Sequence, residues 1–439
     1  MIENKWTVGI YTLGCKVNQY ESEAISERLA DCGFSVISPA LRCDAYIINT
    51  CTVTAESDRK ARQFIRRAIK MNPSAYIVVT GCLAETGAEM LKKIEGIDVI
   101  VGNTTKLYAA DELMKLFEVG RKNAEPLVII EDIEKASFEK MSIRRFDRTR
   151  AYVKIEDGCE NRCAYCIIPS ARGHVRSKEP CEVLREVTLL TEGGCREVVL
   201  TGIETASYGK DLGGKALLGD LLCKVDKIEG IGRVRLGSLD PSLIRKPFVD
   251  TIAELSSLAP HFHLSLQSGS SRILALMRRK YNSEQAMAAI ELLRERIPGV
   301  QFTTDVIVGF PGETDEDFRE TYDFIDKAGF LHVHIFPYSK RAGTPAATMK
   351  GQVAEEIKRE RLHILEELVA QKRAEILAKE IERQAVRRVL FESARDGKIY
   401  GHTAEFLEVA VTSELPLHGE FADVRLTHTD GSLCFGELI

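Results

Sequence analysis

The run Gly158-Cys-Glu-Asn-Arg-Cys-Ala-Tyr-Cys-Ile-Ile-Pro169 decides how the rest of the chain is read. It follows the apolar stretch Ala151-Tyr-Val-Lys-Ile155, which places Cys159, Cys163 and Cys166 in a loop at the end of a strand. With the spacing CxxxCxxC, one short loop wraps a cubane and offers three thiolates to three of its four irons. No fourth cysteine follows nearby, unlike the all-cysteine ferredoxin runs, so one iron is left open to a ligand. The same short spacings also occur in zinc knuckles with a remote fourth ligand. Here no C-x-H or second CxxC follows at ribbon spacing.

Working outward, the chain from Ala151 to about Tyr338 repeats strand and helix six times. The expected strands are Tyr152–Ile155, Glu197–Leu200, Arg233–Leu236, His261–Leu266, Gln301–Val308 and Leu331–Phe336. Right-handed crossovers between parallel strands then give an open, partial (βα)6 barrel, which carries its chemistry at the strands' carboxyl ends. Those ends hold Thr201-Gly202-Ile-Glu204, Gly237-Ser238, Gln267-Ser268-Gly269-Ser270 and Gly309-Phe-Pro-Gly-Glu313. Glycine admits close backbone approach, and hydroxyl and amide groups donate neutral hydrogen bonds, as a nucleoside cofactor needs. Each such loop taken alone is also an ordinary turn.

Upstream, residues 1–118 alternate strands and helices in the manner of a doubly wound α/β domain. Three strands, Thr7–Leu13, Ala45–Asn49 and Ala75–Thr80, are each followed by a cysteine: Gly14-Cys15, Thr50-Cys51 and Gly81-Cys82. Parallel strands bring such residues to one sheet edge, where three thiolates form a second cluster site with an open iron. Buried cysteines also pack as small hydrophobes, the competing reading for each taken singly. Cys32, Cys43, Cys181, Cys195, Cys223 and Cys434 show no comparable pattern and read as structural.

Residues 119–144 read as a linker containing the strand-like Pro126-Leu-Val-Ile-Ile130, and the core unit spans 145–376. The cationic run Ile143-Arg-Arg-Phe-Asp-Arg-Thr-Arg150 is either a solvated face or a phosphate contact. A long charged helix, Gln352–Ile381, leads to five short strands over 377–439, the signature of a small closed all-β barrel.

The chain's 439 residues fit two or three domains, with 44% hydrophobic and 28% charged residues, an ordinary globular balance. No apolar run approaches the ~20 residues of a membrane span, and the opening Met-Ile-Glu-Asn-Lys-Trp lacks the pattern of a secretory leader. Twelve cysteines in this context point to metal or redox use in a reducing cytoplasm. A net charge of −5 does not bear on nucleic acid, which requires only a local basic patch.

CxxxCxxC with an aromatic, Tyr165, before the last cysteine resembles the signature of the radical S-adenosylmethionine enzymes. In that family the open iron chelates S-adenosylmethionine, which the reduced cluster cleaves to a 5′-deoxyadenosyl radical. By that resemblance Tyr165, Thr201, Gly202, Glu204, Ser238, Gln267, Asp305 and Gly309 are cofactor-binding. The order of domains, with Leu13-Gly-Cys-Lys-Val-Asn-Gln-Tyr-Glu21, Asn49-Thr-Cys-Thr-Val53, His263-Leu-Ser-Leu-Gln-Ser-Gly-Ser270 and Asp305-Val-Ile-Val-Gly-Phe-Pro-Gly-Glu-Thr314, resembles the methylthiotransferases over essentially the whole chain. Leu-Gly-Cys-Lys-Val-Asn-Gln-Tyr-Glu is most similar to the MtaB-type branch. Gly237, Asp240 and Glu204 depart from the usual pocket pattern.

The resemblance implies two 4Fe-4S clusters, S-adenosylmethionine, a C-terminal TRAM barrel that binds RNA, and methylthiolation at carbon 2 of N6-threonylcarbamoyladenosine beside the tRNA anticodon. Cys15, Cys51 and Cys82 would hold the auxiliary cluster and Cys159, Cys163 and Cys166 the radical cluster. An electron donor and a sulfur source are implied partners. The substrate's carboxylate calls for a cation, for which Arg278 and Arg279 are candidates. Other readings are an isopentenyladenosine or ribosomal-protein methylthiotransferase, and a zinc-stabilised RNA-binding protein without activity. Four glutamates of the terminal barrel (Glu405, Glu408, Glu414, Glu420) argue for weak RNA affinity.

Overall fold

The computed structural model describes residues 6–146, 148–213 and 217–439. The opening Met1–Lys5, read above for a leader, and Asp147 of the cationic run lie outside the described residues. In chain order the first unit contains β1 (Trp6–Thr12), α1 (Lys16–Asp31), β2 (Phe34–Ile37), β3 (Ala45–Thr50), α2 (Ala55–Met71), β4 (Tyr76–Gly81), α3 (Cys82–Leu91), β5 (Val99–Val101), α4 (Tyr108–Val119) and β6 (Leu127–Ile129). All six strands are parallel in the order β2-β1-β3-β4-β5-β6.

Alternation along each strand divides the apolar residues between two faces. Ile47, Val78 and Val99 pack with Ile25 and Leu29 of α1 and Leu113 of α4. Their neighbours Ile48, Val79 and Ile100 pack with Ala61 and Ile65 of α2 and Leu83 of α3. The segment expected as a linker therefore contributes β6 to this sheet. Its hydrogen-bonding edge is satisfied by β5, which an isolated three-residue strand could not manage.

The second unit runs through β7 (Arg150–Lys154), β8 (Glu156–Asp157), α5 (Ile168–Arg172), β9 (Arg176–Ser177), α6 (Pro180–Glu192), β10 (Glu197–Thr201), α7 (Leu218–Val225), β11 (Arg233–Leu236), β12 (Ser238–Leu239), α8 (Lys246–Ala253), β13 (His261–Gln267), α9 (Ser271–Leu276), α10 (Ser283–Arg296), β14 (Gln301–Val308), α11 (Asp315–Ala328) and β15 (His332–Pro337). Strands β7, β10 and β11 form one parallel sheet, and β12 to β15 form another. Gly237 joins β11 directly to β12, giving six strand positions around an open barrel.

Odd and even residues again part company. Val153, Val198, Leu200, Val234, Phe262, Leu264, Phe302, Val306 and Val333 build the outer core with the helices. The alternate positions, among them Arg150, Glu197, Arg233, Arg235, His261, His263, Thr303, Asp305 and His334, line the lumen. Ordinary barrels fill that space with branched aliphatics. This one is polar.

The first unit covers the barrel's open side. α1 packs on edge strand β7, and beyond the other edge, β15, Arg341 pairs with Asp58 (2.7 Å) and donates to Thr52 (2.7 Å). Finally α12 (Glu355–Glu382) leads to a closed barrel of β16 (Val386–Arg395), β17 (Lys398–His402), β18 (Glu408–Thr412), β19 (Phe421–Thr429) and β20 (Cys434–Leu438). It docks at the amino ends of β7, β10 and β11. Arg235 donates to the carbonyls of Thr403 (2.7 Å) and Ala404 (2.8 Å) there, and Arg233 to those of Arg388 (3.1 Å) and His402 (3.2 Å).

Candidate active site

β1, β3 and β4 are neighbours in register, with Thr12 opposite Asn49 and Thr50 opposite Gly81. The cysteines that follow them therefore meet at one carboxyl edge. Cys15 is the N-cap of α1 and Cys82 the first residue of α3. Both thiols thus sit at helix N-termini, where the dipole favours an anionic sulfur. Gly14 (φ +97°) and Gly81 (φ +95°) make the turns into these positions. Burial pushes the Cys51 thiol up to about 11, with the neighbouring Cys82 and Cys15 thiols adding to the rise.

The loop after β7 and β8 carries Cys159, Cys163 and Cys166. Its backbone is pinned by Cys159 N–H to the Gly173 carbonyl (3.0 Å), Ala164 N–H to Met277 (2.9 Å) and Ala346 N–H to Ala164 (2.8 Å). Burial raises Cys159 to about 12, helped by Glu204 and Cys166, and raises Cys166 to about 12, helped by Cys163. The Arg279 guanidinium donates to Cys163 Sγ (3.2 Å) and pairs with Asp240 (2.7 Å).

A cation must replace these protons if the sulfurs are to act as thiolates, as a bound metal does. Three thiols at one sheet edge and three in one short loop are donor sets that fit a metal centre or an iron–sulfur cluster.

One charged assembly joins the two loops. Arg172, which ends α5 six residues after Cys166, is fully buried. It donates to Asn18 Oδ1 (2.6 Å), Glu21 Oε1 (2.9 Å) and Asp157 Oδ1 (2.9 Å), and faces the Cys82 and Cys15 thiols electrostatically. Glu21 also takes Lys154 (3.0 Å) and Lys106. α5 lies against α3, so the helix starting at Cys82 flanks the radical-type loop. Arg172 and its carboxylate partners thus link the segment that opens on Cys15 to the segment that follows Cys166.

The residues expected around a nucleoside cofactor divide into two groups. Beside the second triplet is a cavity of about 180 Å³ between Asn161, Glu204, Lys210, Asp240 and Lys280. Glu204 Oε2 accepts from Asn161 (3.1 Å), while its buried Oε1 has no partner. Burial, reinforced by Asp240 and opposed by Arg279, raises its carboxyl to about 7. An orphaned acceptor there fits a ribose hydroxyl or an amino donor.

Thr201, Gly202 and Ser238 lie at the same strand ends. A Cβ on Gly202 would meet Glu156 Oε2 at 2.4 Å. Tyr165 stands edge-on to Phe310 at 6.5 Å, next to the Gly309 turn (φ +70°), and Gln267 (φ +72°) ends β13. Asp305 is different: it sits three residues before the end of β14, deeper in the lumen, paired with His263 (3.2 Å). Arg279 is committed to Asp240 and Cys163, and Arg278 is exposed.

Sequence reasoning missed Arg172, Lys16, His263 and His334. The last two were visible as polar positions alternating with apolar ones in His261-Phe-His-Leu-Ser-Leu-Gln267 and His332-Val-His334.

Comparison with known proteins agrees with this architecture. The profile described as the Radical SAM superfamily matches residues 153–325, and that described as Uncharacterized protein family UPF0004 matches residues 7–102. The Threonylcarbamoyladenosine tRNA methylthiotransferase MtaB of Bacillus subtilis (strain 168) is 39% identical over 431 residues, covering 96% of this chain and 93% of that protein. Its namesake from Aquifex aeolicus (strain VF5) is 41% identical, covering 85% and 90%. The tRNA-2-methylthio-N(6)-dimethylallyladenosine synthase of Alkaliphilus oremlandii (strain OhILAs) is 34% identical, covering 98% and 92%. Among solved structures, the radical S-adenosylmethionine methyltransferase TsrM from Kitasatospora setae superposes with TM-score 0.56 at 19% identity, over 78% of this chain and 76% of that one, a likeness of fold. A chain that aligns nearly end to end with such relatives, and that carries the radical-type cysteine loop within the matched barrel, belongs to the radical S-adenosylmethionine methylthiotransferase family.

Proposed function

We propose that this transferase inserts a methylthio group at carbon 2 of N6-threonylcarbamoyladenosine in tRNA. In this reading Cys159, Cys163 and Cys166 hold one 4Fe-4S cluster, and Cys15, Cys51 and Cys82 a second. The observation that supports it is that buried Arg172, which ends the helix after Cys166, bonds Asn18 and Glu21 of the helix that opens on Cys15, tying the two cysteine-bearing segments together. Two relatives named for the threonylcarbamoyl substrate, at 39% and 41% identity, support that choice over the dimethylallyl one at 34%.

When bound, the clusters and two molecules of S-adenosylmethionine supply the radical, the sulfur and the methyl group, which no side chain can offer to an unacidic C–H bond. The chain's own residues hold and orient. Helix N-termini at Cys15 and Cys82 and the guanidiniums of Arg172 and Arg279 offset negative charge on the sulfurs. Glu204 Oε1 accepts from the cofactor, while Thr201, Gly202, Ser238, Gln267, Gly309 and Tyr165 shape the wall it lies against. The first unit, clamped at β7 and at Arg341, closes the barrel's open side and keeps solvent from the reacting carbon.

The terminal barrel presents cations on aromatic faces for RNA: Arg395 over Tyr400 (4.2 Å) and Lys398 over Phe435 (4.9 Å). Of the four glutamates named above, Glu405, Glu408 and Glu420 pair with Arg387, Arg373 and Arg196. A reducing electron donor and a sulfur source complete the partners.

The test combines nucleoside analysis with iron and sulfide counting. Deleting the gene should remove the methylthio group from threonylcarbamoyladenosine, and the purified enzyme should be inactive on tRNA lacking the threonylcarbamoyl group. Undiminished methylthiolation of that tRNA overturns the substrate. Anaerobic protein should hold roughly eight irons, and the Cys15→Ala/Cys51→Ala/Cys82→Ala variant about four. An unchanged count in that variant removes the second cluster.

A further inference from the structure

Inside the barrel lies a set of groups that neither cysteine triplet uses. His263 Nε2 is 3.2 Å from Asp305 Oδ2, and the ligand atoms of His263, Asp305 and His334 lie within 4.8 Å of one another. Asp305 and His334 face each other across β14 and β15, and the His263 and His334 rings are 5.9 Å apart. Thr303 Oγ1 fixes His263 through Nδ1 (2.9 Å). His334 is exposed and Asp305 keeps 30% of its side-chain surface open, so the cluster faces a space rather than a packed core.

A fourth group comes from the other domain. Lys16, the residue after Cys15, is also exposed, and its electrostatic neighbours are Asp305, Arg150 and Arg235, all on lumen positions of the barrel. It opens α1, which packs on edge strand β7, so it stands at the barrel's open side, where its charge acts on Asp305 and His334.

The sign of the field decides what fits. Two histidines and a carboxylate are a familiar metal set. Around them, however, Arg150, Arg233 and Arg235 converge on Glu197 at 3.6, 3.0 and 2.8 Å, Arg150 also pairs with Glu392, and Lys16 adds a fourth cation against these two carboxylates. Excess positive charge repels a divalent ion and attracts an anion.

We infer that Lys16, His263, Asp305 and His334 form the receptor for the N6 substituent of the substrate. Lys16 takes its carboxylate, with His334 beside it. The Asp305–His263 pair meets its hydroxyl and carbamoyl N–H groups. This rests on the threonylcarbamoyladenosine reading above and deepens it. Carbon 2 and the carbon bearing N6 both adjoin N1 of the purine. A base placed with carbon 2 at the Cys15 edge therefore carries its N6 group toward residue 16 and the lumen. The cation that the substrate requires is then Lys16, since Arg279 is held by Asp240.

The experiment uses anaerobic holoenzyme and three anticodon stem-loop RNAs, identical except for threonylcarbamoyl, isopentenyl or no substituent on N6. Binding is read by fluorescence anisotropy and turnover by nucleoside analysis. Loss of one charge-assisted contact in Lys16→Gln should cut the preference for the threonylcarbamoyl RNA about tenfold. Affinity for the unsubstituted RNA and the iron count should be unchanged. His334→Gln, remote in sequence from every cysteine, should cut it about threefold by the same reasoning. A wild-type enzyme with no preference for the threonylcarbamoyl RNA overturns the substrate reading and this inference together. A preference present in wild type and intact in both variants overturns this inference alone. So does one equivalent of zinc or non-cluster iron that vanishes in His334→Gln.

Discussion

A Cβ at Gly81 would sit 2.3 Å from the Thr50 carbonyl oxygen, at a backbone φ of +95° that side chains resist. That one position turns β4 into α3 and delivers Cys82 to the sheet edge. Gly81→Ala should therefore cost at least the ~1–3 kcal/mol of such strain and release about half of the bound iron, measured by thermal unfolding and iron assay. Glu21 shows the same dependence on single groups. It is fully buried; burial alone would raise its carboxyl, but Arg172, Lys106 and Lys154 together hold it well below the usual range. A carboxylate depressed in the folded state stabilises above its unfolded value of about 4.3 and loses that contribution as pH falls below it. Glu21→Gln should destabilise by roughly 3–5 kcal/mol at pH 7, the cost of breaking a buried ion cluster. Its melting curve should converge on that of the wild type as pH drops below about 4.

Between elements, the docking of the terminal barrel depends on one aromatic ring. Phe406, at a φ of +74°, stacks on His261 and His402, each at 4.7 Å, and receives the guanidinium of Arg235 at 5.0 Å. Its strained backbone is held by this sandwich at the amino end of the (βα) barrel. Phe406→Ala should cost about 3 kcal/mol as a large core truncation. It should also split the calorimetric transition, with the terminal barrel melting apart from the rest; a single unshifted transition would show that the ring is dispensable. The cations of Arg395/Tyr400 and Lys398/Phe435, exposed and half-buried respectively, should affect RNA more than stability. Arg395→Ala/Lys398→Ala is expected to weaken tRNA binding and to shallow its salt dependence by up to two charges, read from log Kd against log salt.

Over the whole molecule, the (βα) barrel is closed from two sides by different means. The α/β unit clamps both edge strands, and the small barrel seals the strand bases through arginine-to-carbonyl bonds. What remains between is a polar lumen opening on six cysteines. Much of this was legible in the chain. Gln301–Val308 and Arg233–Leu236 match the expected strands to the residue, because each has a clean period bounded by a turn. α1 starts at Lys16, directly on Cys15, where the sequence is polar and carries no apolar period; its first turns are held by tertiary contacts such as Asn18 and Glu21 with Arg172. β2 was missed because four half-buried residues carry almost no periodic signal.

Cysteine spacing and strand alternation, both local properties of the covalent chain, determined the α/β unit, the (βα) barrel and the small terminal barrel, and singled out six of the twelve cysteines. Period and spacing act over a few residues and survive without any knowledge of packing. The fold alone decided that Arg172 links the two cysteine-bearing segments, and that a lysine of the first domain comes near the histidine–aspartate cluster of the second. Those encounters join residues 16, 263, 305 and 334 through domain docking, and a side chain's electrostatic role exists only once its neighbours are fixed in space.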